Sequence, residues 1–360
     1  IKKTFFSRQK EGILVSFAIQ LFTIPLVAYS YYEIPVYAML INLFVLAVVN
    51  GLLGLTVLGV IVGMAFLPAG RVLFAPCGWM LDSYRFLCEV SLKIPGAQRI
   101  TGKPAHMRIF WYYLGLGVFL LAIYACARRN EKHKDCRETA DLCVSRRKKR
   151  LQGIVFSCFI AFLLLFLLFP QKKSFEIDFL DVGQGDGIYL CTGGGTSMFI
   201  DGGSTDVKQV GKYRILPFLK AKGVSEISYW FVSHTDADHI SGLEEVLASG
   251  YPVERLLFAE AVKNKEKTKS LAKLAEKAGT VVQYMEADET LYIKNATIRC
   301  LYPQAMVQSE DINEQCLVLC YEEGGVKALF AGDISSEIEK EILERACVEH
   351  VQIYKANHHG

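Results

Sequence analysis

The stretch that decides the fold of the second half of this chain is His234-Thr-Asp236-Ala-Asp238-His239. It follows an apolar run, residues 227–233, which predicts a buried strand. Side chains of the types that bind divalent metal ions are thus concentrated where a strand ends and a turn brings alternate side chains together. An exposed polar loop is the alternative, but such a loop has no need of two histidines. The stretch therefore predicts a metal site.

Charge divides the chain into two parts. Residues 1–170 hold 20 Lys and Arg against 8 Asp and Glu, whereas residues 171–360 hold 20 against 29. The first part is also strongly apolar, so we expect two domains, a membrane region over 1–170 and a soluble domain over 171–360. The acidic balance of the second part argues against binding nucleic acid through charge alone. Bound divalent ions would offset part of that charge.

Five apolar runs in the first domain predict transmembrane helices, because each approaches the length that spans the hydrocarbon core. These runs are 12–31, 34–50, 51–69, 109–127 and 153–169. The second and third are halves of one long apolar stretch, in which Asn50-Gly51 predicts a tight turn. The mixed segment 71–107 is expected to lie at the membrane interface.

Two basic segments predict the orientation. Residues 128–150 are rich in Lys and Arg, as is the flank before residue 12, and such segments face the cytoplasm. Counting five spans from either segment brings residue 171 to the outer side. We therefore expect a multi-pass protein of the cytoplasmic membrane with residues 171–360 extracytoplasmic.

Short strands and helices alternate after residue 172, in an order that predicts two sheets packed face to face with helices outside, an αββα sandwich. Further acidic or imidazole side chains follow predicted strands at Asp201, Asp333 and His358-His359. Each taken alone could be a turn residue. Together they predict ligands gathered at one edge of the sandwich.

The motifs resemble those of the metallo-β-lactamase superfamily. They are Asp-Val-Gly-Gln-Gly-Asp (181–186), Ile-Asp-Gly-Gly (200–203), His-x-Asp-x-Asp-His-x-x-Gly (234–242), Ala-Gly-Asp (331–333) and His-His-Gly (358–360). Membrane spans followed by this domain are similar to ComEC-type competence proteins, which internalise DNA. Because the chain opens without Met and stops inside the last motif, we expect an excerpt of a longer protein, truncated within the metallo-β-lactamase-like domain.

The resemblance implies two divalent metal ions. Their ligands would be His234 and Asp236 at the first ion, Asp238 and His239 at the second, Asp333 between them, and His358 or His359 to complete a site. Asp238 and Asp333 would be the catalytic residues, Asp201 would orient a ligand, and Asn313 would occupy the space of a ligand that this chain lacks. Since most superfamily members have a second His at Asp236, the oxygen-rich set makes manganese as plausible as zinc.

The resemblance also implies a function: DNA uptake in natural transformation. A metal-dependent phosphodiesterase outside the membrane would degrade one strand while the other passes through a channel. The implied partners are single-stranded DNA in transit, the membrane and other DNA-uptake proteins, with homo-oligomerisation left open. Two alternatives remain, a membrane-anchored hydrolase of envelope phosphoesters and a permease whose sandwich domain is not catalytic.

Overall fold

The computed structural model describes residues 5–132, 142–170, 173–304, 309, 311–346 and 348–357. The chain divides into two compact units, Ile1–Pro170 and Gln171–Gly360. Each unit is described separately below.

The first unit is helical in its described part, with two short strands. Its elements are α1 (Phe5–Tyr31), β1 (Glu33–Pro35), α2 (Ala38–Ala65), α3 (Leu67–Leu92), β2 (Gln98–Ile100), α4 (His106–Lys132) and α5 (Leu142–Leu168). Among the described residues, three helices are long and apolar enough to cross a membrane: Gly12–Tyr31, Val48–Ala65 and His106–Cys126. A shorter apolar run, Gly153–Leu168, lies within α5.

The turn predicted at Asn50-Gly51, with spans over 34–50 and 51–69, is wrong. Helix α2 passes through both residues and ends at Ala65, just before Phe66, whose backbone is extended. Glycine weakens helices in water, but in an apolar environment the helix remains the best way to satisfy the backbone. The break comes instead where Pro68 stands in the first turn of α3, a position that needs no N–H donor.

Helices α2 and α3 form a hairpin held together by glycines. A Cβ atom on Gly70 would lie 2.6 Å from the Cα of Gly63, so the two backbones approach closely only because neither residue has a side chain. The start of α2 and the end of α3 are joined by antiparallel pairing of β1 with β2, in which Ile34 lies opposite Arg99. The segment predicted to be interfacial is therefore largely helix α3.

The described residues of the second unit form two sheets. The strands of the first are β3 (Glu176–Phe179), β4 (Gly187–Cys191), β5 (Ser197–Asp201), β6 (Ile227–Phe231), β7 (Val253–Ala259) and β8 (Val281–Met285), in that order. The strands of the second are β9 (Thr290–Ile293), β10 (Ala296–Tyr302), β11 (Val318–Glu323), β12 (Val326–Phe330) and β13 (Ile353–Lys355). The α-helices are α6 (Leu216–Ala221), α7 (Ala237–Ala248), α8 (Glu266–Lys277) and α9 (Ser336–Ala346).

The sheets pack against each other and carry helices on their outer faces. In β11, Val318 and Cys320 belong to a buried cluster with Ile338 of α9. The alternation along a strand turns Tyr321 to the opposite face, where its ring stacks on Phe175 just before β3, with centroids 6.1 Å apart. The predicted αββα sandwich after a helical membrane region is confirmed.

Candidate metal centre

Strand β6 leads directly into residues 234–239, the stretch predicted to bind metal. His234 lies in the loop after the strand, Asp236 stands at the position before α7, and His239 lies in the first turn of that helix. Gly185 and Gly203 let their loops lie against the backbone of Asp238 at the start of α7. A Cβ atom on Gly203 would come within 2.4 Å of the Asp238 carbonyl carbon, so only glycine fits there.

Asp201, at the end of β5, holds the imidazole of His239 in place. One carboxylate oxygen lies 3.0 Å from Nδ1 of His239, and the other accepts the backbone N–H of Ser233 at 2.7 Å. The backbone carbonyl of Asp201 accepts the indole N–H of Trp230 at 2.6 Å. All of these groups are buried, and Asp201 has a left-handed backbone with φ of 59°. The orientation of His239 is thus fixed by contacts with the first sheet.

Three residues predicted as ligands converge. His234, His239 and Asp333 each offer one ligand atom within 4.8 Å of the others, and all three side chains are buried. The two imidazole rings have centroids 4.0 Å apart, and Nε2 of His239 lies 3.4 Å from Oδ2 of Asp333. Because Asp333 follows β12, the group joins the two sheets. Two imidazoles and a carboxylate that converge in this way fit a divalent metal ion.

The other predicted site residues lie around this group or outside it. Oδ2 of Asp236 lies 3.8 Å from Nε2 of His234, and Oδ1 lies 3.3 Å from the ammonium of Lys267. Asp238 is half-buried beside His239, without being one of the three converging residues. Asn313 lies in a short 3₁₀ helix and also falls outside the group. His358 and His359 are not among the described residues.

Two residues of the centre had no role assigned from the sequence. Asp186 closes the loop before β4 and forms a second group of closely spaced ligand atoms with Asp201 and His239. Lys355, the last residue of β13, is buried and forms ion pairs with Asp186 and Asp333. Asp186 could have been suspected from its place in the glycine-containing motif 181–186. The only signal at Lys355 was a charged residue at the end of an apolar strand.

The charges in the centre shift one another's pKa values. Burial lowers the pKa of His239, but the carboxylates of Asp201 and Asp333 outweigh burial and raise it to about 10. Burial, followed by the charge on His239, lowers the pKa of His234. Burial opposes ionisation of Asp333, yet its hydrogen bond with His239 and the charges of His239 and Lys355 lower its pKa. Without a metal ion, the centre is therefore a network of carboxylates balanced by His239 and Lys355.

Sequence comparisons relate the chain to competence proteins. The model of the Competence protein family matches residues 1–125. "ComE operon protein 3" of Bacillus subtilis is 24% identical over 365 residues, which cover 96% of this chain and 44% of the relative. "Recombination protein 2" of Haemophilus influenzae is 26% identical over 210 residues, which cover 58% of this chain and 24% of the relative. The chain thus spans less than half the length of these curated relatives.

Structural comparison finds proteins with the metallo-β-lactamase fold. One is the metallo-β-lactamase fold protein YhfI from Bacillus subtilis, with 15% identity and a TM-score of 0.31. The match covers 42% of this chain and 57% of that protein. Together with three apolar helices in the described residues, the sequence matches indicate a membrane protein. The sequence matches make the chain similar to competence proteins over most of its length.

Proposed function

We propose that the second unit is a metal-dependent phosphodiesterase that acts on DNA during uptake. The observation that carries the proposal is the buried convergence of His234, His239 and Asp333 at the edge shared by both sheets. A divalent ion in such a centre lowers the pKa of water and stabilises negative charge on phosphoryl oxygens. A phosphodiester fits this chemistry because negative charge builds up on its oxygens as the bond is broken.

The chain's own residues would prepare the centre. Asp201 would fix the tautomer of His239 by accepting a hydrogen bond from Nδ1, which leaves Nε2 to face the metal. Asp333 would supply a carboxylate from the second sheet. Asp236 and Asp238 lie at the same turn and, with His358 or His359, would complete the ligand sets of two ions, manganese or zinc.

We further propose that this unit faces the outside of the cytoplasmic membrane. Support comes from the β1–β2 pairing, which holds both ends of the α2–α3 hairpin on one side. With the basic N-terminal flank inside, α1 leads out, the hairpin begins and ends outside, α4 returns, and α5 leads out again. The basic segment 128–150 then lies inside, as its charge favours. Correcting the α2 boundary therefore leaves the orientation unchanged.

Similarity to competence proteins supports DNA as the substrate. One strand would be degraded outside while the other passes the membrane through a path to which the helices contribute. Because the second unit is acidic, metal ions or other parts of the uptake apparatus would supply its attraction for DNA. The proposed partners are thus single-stranded DNA, the membrane and further uptake proteins.

The test uses the full chain in lipid nanodiscs and DNA duplexes labelled on either strand. We expect nucleotide release with Mn²⁺ or Zn²⁺, no release with chelator, and loss of release in Asp333→Asn. Asp181→Asn is the matched control, because Asp181 is an exposed carboxylate paired with Arg214. Metal binding without DNA cleavage, but with cleavage of a glycerophosphodiester, would favour an envelope hydrolase. Failure to bind metal would favour a non-catalytic sandwich.

Orientation is tested separately. A cysteine placed at exposed Tyr292 of the second unit should react with a membrane-impermeant maleimide added to intact cells. A cysteine in the basic segment, at Arg137, serves as the control that should react only after lysis. The reverse pattern would refute the proposed orientation.

A further inference from the structure

The side chain of Lys355 places a positive charge inside the candidate centre. Its ammonium contacts Asp186, lies 3.4 Å from Oδ1 of Asp333, and donates to the carbonyl of Gly332 at 3.1 Å. Only 8% of the residue is exposed. Lysine is seldom buried unless it is paired, because removing its charge from water is costly. The position of this side chain therefore depends on the carboxylates around it.

One of the carboxylates beside Lys355, that of Asp186, belongs to a second cluster with ligand geometry. Asp186, Asp201 and His239 offer ligand atoms within 4.8 Å of one another, next to the group of His234, His239 and Asp333. His239 belongs to both groups, and Lys355 links Asp186 to Asp333. The ammonium of Lys355 thus already places a positive charge beside Asp186 and Asp333.

The two carboxylate oxygens of Asp333 have different neighbours, and the Lys355 ammonium is one of them. Oδ1 faces Lys355, whereas Oδ2 faces Nε2 of His239 at 3.4 Å. Asp333 can therefore direct one oxygen toward the His234–His239 pair while the other is held. A divalent ion entering beside Asp186 would have to approach the lysine charge, and repulsion at such short range in a buried site is strong.

We propose that Lys355 is a positioning residue that acts as a built-in cation: it balances Asp186, orients Asp333, and keeps divalent metal from the Asp186 side of the centre. This inference rests on the proposed function, since it assumes that the His234–His239–Asp333 group binds metal. According to this inference, the charge of Lys355 limits how many metal ions bind to the centre and determines where they bind.

Counting bound Mn²⁺ tests the proposal without an activity assay. The full chain in nanodiscs is dialysed against Mn²⁺, and the bound ions are counted for wild type, Lys355→Met and Lys355→Arg. We expect Lys355→Met, which removes the charge but keeps an unbranched side chain, to bind one more Mn²⁺ per chain than wild type. Lys355→Arg keeps the charge and should match wild type. An unchanged or smaller number in folded Lys355→Met would overturn the proposal.

A second pair of variants covers the case in which Lys355→Met fails to fold. Asp186→Asn leaves the lysine charge without its nearest carboxylate, so Mn²⁺ binding should weaken by about tenfold or more. Asp186→Asn combined with Lys355→Met removes one charge of each sign and should bind as many ions as wild type. Unchanged Mn²⁺ affinity in Asp186→Asn would contradict the inference. If wild type binds neither Mn²⁺ nor Zn²⁺, the proposed function fails. If wild type binds Mn²⁺ and neither Lys355→Met nor Asp186→Asn differs from it, only the role of Lys355 fails.

Discussion

Replacing Asp201 by Asn tests how the centre holds His239. Asn tolerates the left-handed backbone at this position, and its carbonyl oxygen can still accept the Ser233 N–H. Its NH₂ group, however, would face Nδ1 of His239, where the carboxylate now accepts a hydrogen bond. The imidazole would then carry its proton on Nε2, the atom that faces Asp333. The substitution therefore changes the hydrogen-bonding chemistry while leaving side-chain size nearly constant.

Two magnitudes follow. Loss of a buried hydrogen bond to a charged group costs about 1.5–3 kcal/mol, which should lower the unfolding free energy of the metal-free protein. Loss of the partner that orients a metal-bound His weakens metal affinity by about 10–100-fold. Both should appear in Asp201→Asn and neither in Asp181→Asn, since an exposed ion pair contributes about 1 kcal/mol or less.

The assays are Mn²⁺ titration and pulse proteolysis in urea, both on the full chain in nanodiscs. Asp201→Ala gives a second comparison, because it also leaves the buried Ser233 N–H without its acceptor and should be the less stable variant. Mn²⁺ affinity of Asp201→Asn within about twofold of wild type would refute the reasoning, since it lies well below the effect expected for losing such a partner.

Three further predictions concern the pH dependence of the centre, its support and the membrane hairpin. Because the folded pKa of His239 is raised to about 10 from 6.5, its contribution to stability without metal is complete below about pH 6.5 and disappears as pH rises through about 10. The difference in unfolding free energy between wild type and His239→Gln should therefore shrink with rising pH, and a constant difference would contradict this. Trp230→Phe should cost about 1–3 kcal/mol by pulse proteolysis, since the buried Asp201 carbonyl loses its donor. Tyr229→Phe, which removes a hydroxyl that accepts a part-buried hydrogen bond from Arg255, is the control and should cost less. Gly70→Leu should separate α2 from α3. In a Thr56→Cys background it should therefore reduce disulfide formation with Cys77, because Oγ1 of Thr56 lies 3.8 Å from Sγ of Cys77. Gly78→Leu, at a position with open space around it, should leave disulfide formation unchanged.

The sandwich fold was predictable because its strands and turns leave patterns in short stretches of the sequence. Strands of the second unit alternate or are wholly apolar, and the motif after β6 is dense enough to indicate where strands end. The hairpin of α2 and α3 was placed wrongly because Asn50-Gly51 is a turn signal in water, where exposed backbone can bond to solvent. In an apolar environment that signal loses its force. What ends α2 is the extended backbone at Phe66 before the Pro68 turn.

The centre was predictable only in part. His234, His239 and Asp333 stood out because their residue types are typical of metal ligands. Lys355 did not, since a lysine at a strand end is ordinarily exposed. Its burial depends on Asp186, which lies far away in sequence, in the loop before strand β4 of the other sheet. Pairings across sheets leave no periodic signal in one sequence.

The division of the centre between two sheets has a consequence for biosynthesis. His234 and His239 follow strand β6 of the first sheet. Asp333 and Lys355 are made about a hundred residues later, Asp333 after strand β12 and Lys355 at the end of strand β13 of the second sheet. A chain still being synthesised would hold the histidines without the carboxylate and lysine that complete their surroundings. If the proposed activity is correct, an unfinished chain cannot cut DNA, and hydrolysis begins only after the second sheet has folded onto the first.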